Sequence, residues 1–348
     1  MQGMKRRSLA VICIAAALVV GPVQSALAAG PDNKAVTETD TDSGLKDDTL
    51  YAQAAAISYD TSRNGSGSSA GPLTVSDNTW TPPACWFAPK WTAKQFAKNT
   101  EEGYKEISAD PNQTSPTRQA AYQDMQNYKD GEYKNYNIDK QDDGMWWGAV
   151  ENPNAPILDR LACNTRRPFW VENGETPDIP NAISPEILAG LAYQQIKVPG
   201  TKVTLAPAAV TKVNLATWAW LDKGDFKPVS VTASLTSPGL NIRATTTATP
   251  VSLTLQPGTT DAETYPASGS CAINADGSIG EPWAKGKSGE DPPCGIKYLR
   301  ASGSSTYPLK ATLTWEITWK GSTGDGTFPD GTFGATQDIT VQEIQSVN

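Results

Sequence analysis

The 348-residue chain contains no histidine. That absence removes Ser-His-Asp and Cys-His catalysis, haem held by histidine, and every zinc site built on an imidazole. Basic charge is scarce as well. The chain has 29 Lys and Arg against 37 Asp and Glu, a net −8, and Lys5, Arg6 and Arg7 are the only charged residues before Asp32. Without those three the remainder carries −11. Such a balance argues against nucleic acid and anionic membrane surfaces as partners. Apolar runs are short too. Leu9–Val20 is unbroken but holds only twelve residues, against the roughly 20 needed to span a bilayer. No CxxC spacing occurs, so a four-thiolate metal site has no framework.

What is present begins with an export signal. Lys5-Arg6-Arg7 supplies a positive start, Leu9–Val20 the apolar segment, Gly21-Pro22 its break, and Ala26-Leu27-Ala28 a small-x-small cleavage pattern. Residues 1–28 are therefore expected to be removed. Arg6-Arg7 ahead of so apolar a segment fits the ordinary secretory route better than the twin-arginine one. No retained membrane span is expected, and the mature chain should be secreted, free or wall-associated. Cys85, Cys163, Cys271 and Cys294 then form an even set in an oxidising compartment, which reads as two disulfides. Three pairings are open. The nested one, Cys85–Cys163 with Cys271–Cys294, fits the division of the chain described next.

Residues 29–79 are poor in large apolar side chains and rich in Asp, Thr, Ser and Gly. They read as a disordered acidic linker, in which Leu50–Tyr59 alone could order as an added strand. Residues 80–200 read as a small helical and irregular disulfide domain. Thr92 and Gln95 have the spacing of a capping box, Ser115-Pro116 opens a second helix, and Ser184-Pro185-Glu186 opens a third that ends at Pro199-Gly200. From 201 to 348 the period becomes two. Val229, Val231, Ala233 and Leu235 share one face of a strand. Leu240, Ile242 and Ala244 do the same, as do Val251, Leu253 and Leu255. Leu309, Ala311, Leu313, Trp315, Ile317 and Trp319 form the clearest case, and Ile339 and Val341 start the last strand. One apolar face per strand implies half-buried antiparallel sheets. The expected fold is thus mainly β with a helical N-terminal part, its C-terminal half an immunoglobulin-like antiparallel β-sandwich.

Few motifs point to chemistry. Gly280–Ser288, GEPWAKGKS, ends like a phosphate loop but puts five residues where four are needed. A basic loop between two half-cystines accounts for it, and no nucleotide is expected. Asp139–Gly144 resembles a calcium loop that lacks its final glutamate, since Val150 stands there. It reads as an acidic turn, and neither metal nor cofactor is expected. The tandem Asp-Gly-Thr-Phe of 325–333 reads as the turn between the last two strands. A glycosidase needs only two facing carboxylates, and Glu316 is the acid to examine first. Trp218, Trp220, Trp315 and Trp319 fall in strands and read as core. Trp146-Trp147, flanked by glycines and acids, is the pair expected at the surface, where planar rings suit a sugar or an apolar partner.

At WTPPACWFAP (Trp80–Pro89), DDGMWWG (Asp142–Gly148), RPFWVENG (Arg167–Gly174), ATWAWLDK (Ala216–Lys223) and ATLTWEITW (Ala311–Trp319) the chain resembles a family of secreted actinobacterial proteins, over about 80–348. The resemblance implies export, two disulfides, a β-rich C-terminal half and a free-standing envelope or secreted product. It carries no activity to any residue. The expectation is a non-enzymatic binding or assembly protein of the cell envelope acting through a protein partner. The alternative is a wall-glycan module using Trp146 and Trp147, with a glycoside hydrolase behind it.

Overall fold

The computed structural model describes residues 57–344, except 201, 223–225 and 288. The expected signal 1–28 and residues 29–56 of the expected linker lie outside these. The described chain is mainly β, arranged in several antiparallel sheets.

The largest sheet runs in the order Ile57–Arg63, Val229–Ser237, Leu240–Gln256, Tyr307–Gly321, Asp325–Gln342, Thr74–Val75. Period-two patterning builds it as expected. In Val229–Ser237 the residues Val229, Val231, Ala233 and Leu235 are buried, and in Tyr307–Gly321 the odd positions from Leu309 to Ile317 are. A second sheet places Gly295–Tyr298 and Ala216–Leu221 side by side, with Cys271–Cys294 stapling the excursion between them and the large sheet.

Three expectations are corrected here. The runs at 240–244 and 251–255 are one strand, not two. Opposite Tyr307–Gly321, Pro250 faces Trp315 and Ser252 faces Thr314, so Val251 is an extra residue. This bulge switches the buried parity from Ile242, Ala244 and Ala248 to Leu253 and Leu255, and leaves Val251 exposed. Pro250 suits such a site because it has no N–H to give the ladder. The tandem Asp-Gly-Thr-Phe is not the turn. The turn is Gly321–Gly324, where the Gly321 N–H bonds the Gly324 carbonyl at 2.9 Å and Gly324 has φ +80°. The repeat runs inside Asp325–Gln342, with an extra residue at Pro329-Asp330. Ile339 and Val341 accordingly end the last strand, and Ile344 lies beyond it, exposed.

Between 80 and 200 the helices start where their caps predict. Helix α1 (Ala93–Ala109) carries the complete Thr92/Gln95 capping box. Helix α2 (Ser115–Lys129) is capped by Thr114, one residue ahead of the expected Ser115, with Pro116 in its first turn. A short helix α3 (Ile157–Arg160) follows, and helix α4 (Pro185–Gln195) is capped by Ser184. The same region also holds a three-stranded sheet, Cys85–Trp91, Gly144–Glu151 and Phe169–Glu172.

Residues 57–79 of the expected linker are not featureless: Ile57–Arg63 pairs with Val229–Ser237 at the sheet edge, and Thr74–Val75 pairs with Asp325–Gln342. Nor is 200/201 a break in packing. Helix α4 is buried through Leu188–Tyr193 and lies on the large sheet, where the Thr246 hydroxyl donates to the Ala189 carbonyl at 2.8 Å. One core runs from Trp86 and Leu188 to Leu253 and Trp315. A smaller satellite core gathers Trp91, Phe96, Met125, Tyr128, Tyr136 and Trp146 under α1 and α2.

Candidate functional site

The Trp146-Trp147 pair is not at the surface. Trp146 is 0 % exposed and Trp147 2 %. The reason is the position of their strand. On a strand successive side chains point to opposite faces, and Gly144–Glu151 is covered on both. Met145, Trp147 and Ala149 enter the main core, while Trp146 enters the satellite core, stacked on Phe96 at 4.1 Å. The Trp146 indole N–H donates to the Tyr136 carbonyl at 3.0 Å. Neither ring can meet a sugar without unfolding, so the expected ligand role of the pair is corrected to packing.

The other sequence candidates are dispersed. Glu316 is exposed on the outer face of its strand, opposite the Pro329-Asp330 bulge. In the 280–288 loop the Lys287 ammonium lies 2.6 Å from Glu281 and 5.0 Å from the Trp218 ring centre, and Trp283 is 44 % exposed. Asp142 and Asp143 end a turn held by Asn173, whose side-chain amide donates to the Asp142 carbonyl at 2.7 Å. Both expected disulfides are formed, Cys85–Cys163 and Cys271–Cys294.

Among the described residues, an open groove of about 500 Å³ lies beside the Cys85–Cys163 bridge. Its walls come from four stretches far apart in sequence: 80–85, 159–162, 179–190 and Phe328. Each is held in place for a local reason. The 181–183 segment is tied to the first strand of the three-stranded sheet, because the Phe87 N–H donates to the Asn181 carbonyl and the Ile183 N–H to the Phe87 carbonyl, both at 2.8 Å. Asn181 adopts φ +61°, a left-handed conformation that asparagine tolerates. Its side-chain amide reaches the Cys163 sulfur at 3.8 Å. Helix α4 can approach 80–85 because it carries Gly190, where a Cβ would stand 2.8 Å from Pro83.

The aromatic wall is continuous. Trp80 packs on Tyr193 at 5.2 Å and on Phe328 at 5.0 Å, and Phe328 stacks on Trp319 at 6.2 Å. Burial pushes the Tyr193 phenol well up, and its hydroxyl donates to the Pro329 carbonyl at 3.1 Å. Of these rings Trp80 and Phe328 line the groove, and its polar lining includes Asp159, Asn181, Ser184 and Glu186. Next in the chain to Asp159 and Ala162 of the lining, α3 and the turn after it expose Ile157 by 60 %, Leu158 by 80 % and Leu161 by 37 %.

No protein-family model, curated protein or solved structure matches the chain. Among the described residues, no helix is long and apolar enough to cross a membrane.

Sequence reasoning read Cys85 as a half-cystine and Ser184 and Glu186 as the start of a helix, and gave no residue of this groove a binding role. Its one local signal was Ile157-Leu158-Asp159-Arg160-Leu161, an apolar cluster inside a Pro- and Asn-rich stretch that has no strand or long helix to bury it.

Proposed function

We propose that the chain is a secreted, non-enzymatic binding or assembly protein of the cell envelope, of the actinobacterial family it resembles, and that it acts through a protein partner docked at the groove. Its large sheet is read as part of an immunoglobulin-like sandwich that presents this surface. The observation that carries the reading is the exposed trio Ile157, Leu158 and Leu161, next in the chain to the groove's Asp159 and Ala162. The two disulfides fit an oxidising compartment. A hydrolase is less well supported. It needs one carboxylic acid kept protonated by its surroundings, and the groove's two carboxylates, Asp159 and Glu186, are both exposed.

The test is a photo-crosslinking side chain placed at Leu158 in the secreting cell, with Val251, exposed on the sheet's outer face, as control. A single envelope protein joined to position 158 and absent from position 251 is the expected result. The same adducts from both positions, or none from 158, would overturn the reading. A wall glycan is the second reading, favoured by the Trp80 and Phe328 rings beside Asn181 and Ser184. Co-sedimentation with protein-free sacculi that is lost in Trp80→Ala would establish it instead.

A further inference from the structure

Resting on that reading, we infer that the groove takes a short cationic peptide segment of the partner. Its apolar side chains lie against Trp80, Ile187 and Phe328, and its lysine or arginine side chains reach Asp159 and Glu186. The charges point that way. No basic side chain lines the groove. The three arginines nearest to it in the chain are all engaged elsewhere. Arg160 stands 3.6 Å from Glu151, Arg167 3.1 Å from Asp124, and Arg166 lies over the Phe169 ring at 5.6 Å. The carboxylates of Asp159 and Glu186 have no hydrogen-bond or ion-pair partner among the described residues. Glu186 has a structural reason to be acidic, since it stands in the first turn of α4, where the helix dipole favours an anion. Asp159 stands in the first turn of α3 as well, but α3 has only four residues and no side-chain cap, so its dipole is small.

An unpaired acid pair in a groove lined by Trp80, Ile187 and Phe328 is a poor match for an acidic or purely apolar occupant. It is a good match for one that alternates cationic and apolar groups. Opposite charge at a rim steers encounter and selects the partner, while the buried apolar contacts hold it. The net negative charge of the whole chain acts in the same direction.

The experiment uses the full mature chain and two blocked pentapeptides, Leu-Lys-Leu-Lys-Leu and Leu-Glu-Leu-Glu-Leu, followed by calorimetry and by the indole N–H resonance of Trp80. The lysine peptide is expected to bind with a Kd of about 1 mM or tighter, to shift the Trp80 signal, and to weaken as salt rises. The glutamate peptide is expected not to bind. Asp159→Asn/Glu186→Gln, both at exposed positions, should keep the fold by circular dichroism and weaken the lysine peptide about tenfold. Equal binding of both peptides, no binding of the lysine peptide, or full binding by the double variant would each overturn the inference. If the Leu158 crosslink survives any of those results, the partner stands and only its charge was misread. If the crosslink fails while the lysine peptide binds at Trp80, the site stands without an envelope partner.

Discussion

Replacing Phe96 by alanine should unlatch the satellite core and leave the main one closed. Phe96 is 1 % exposed, and its ring meets Trp146 at 4.1 Å, Tyr128 at 4.8 Å, Trp91 at 5.5 Å and Tyr136 at 6.4 Å. Deleting a buried phenylalanine costs about 3–5 kcal/mol through lost transfer energy and the cavity left behind. The aromatic contacts overlap with that figure and are not added to it. The surrounding rings are held on two strands, α2 and the short 3-10 segment Asn135–Lys140, so collapse around the hole would require moving whole elements. Even the lower figure corresponds to about a hundredfold in an opening equilibrium. Native-state hydrogen exchange reads this directly. Amides of α1 and α2 should lose about a hundredfold or more of their protection, while those of Tyr307–Gly321 keep theirs. An equal fall in both places would show that the two cores open as one unit, and unchanged helices would show that Phe96 does not hold them. Either result refutes the division into a main and a satellite core.

Asp124 is largely buried and burial pushes its carboxyl up, with Arg167 opposing only in part. A carboxyl raised in the folded state destabilises the protein increasingly as pH climbs through the ordinary carboxyl range, and not at all well below it. Asp124→Asn should therefore be more stable than the native chain at neutral pH and equal to it in acid, as read by urea unfolding; a difference that grows toward acid would refute this. Burial also holds the Tyr59 phenol at about 12 and pushes those of Tyr128, Tyr193 and Tyr298 up. Stability present below the ordinary phenol value should be lost as pH rises above it, and an ultraviolet titration of folded protein should lag behind one in denaturant; superposed curves would count against buried phenols. Replacing Cys271 and Cys294 by alanine frees a loop with a sequence separation of 23. It should cost about 3 kcal/mol on the loop-entropy account, against about 4–5 kcal/mol for Cys85 and Cys163, whose separation is 78. Equal midpoints in denaturant would refute that ranking.

Local chemistry made much of the fold legible. A threonine with a glutamine three residues on starts α1, a serine before a proline starts α4, and the alternation from Leu309 to Ile317 gives a strand with one wet face. What escaped was set by pairing across distance. The bulge at Val251 depends on the register against Trp315, and nothing within 240–256 announces a change of parity. Asp-Gly pairs favour turns, but in 325–333 a long strand partner overrides that preference. Adjacent tryptophans flanked by glycines and acids suggested exposure; they lie instead on a strand whose second face is covered by helices. The groove was hidden for the same reason. Trp80, Asp159, Glu186 and Phe328 meet only after the sheets and α4 are assembled.

The satellite core also bears on the order of folding. The strands Cys85–Trp91 and Gly144–Glu151 are direct antiparallel neighbours, yet everything from 92 to 143 lies between them. A flexible connection of that length makes strand pairing slow, because its closure entropy comes before any contact rewards it. Helices form within about a microsecond, and two of them packed on each other shorten the span to be closed. By carrying Trp91 at one end toward Trp146 at the other, they act as a clasp that closes the ladder from the turn outward and leads Cys85 toward Cys163. In the Phe96→Ala chain, stopped-flow refolding should slow even where unfolding is unchanged, because the clasp would then have to be made last.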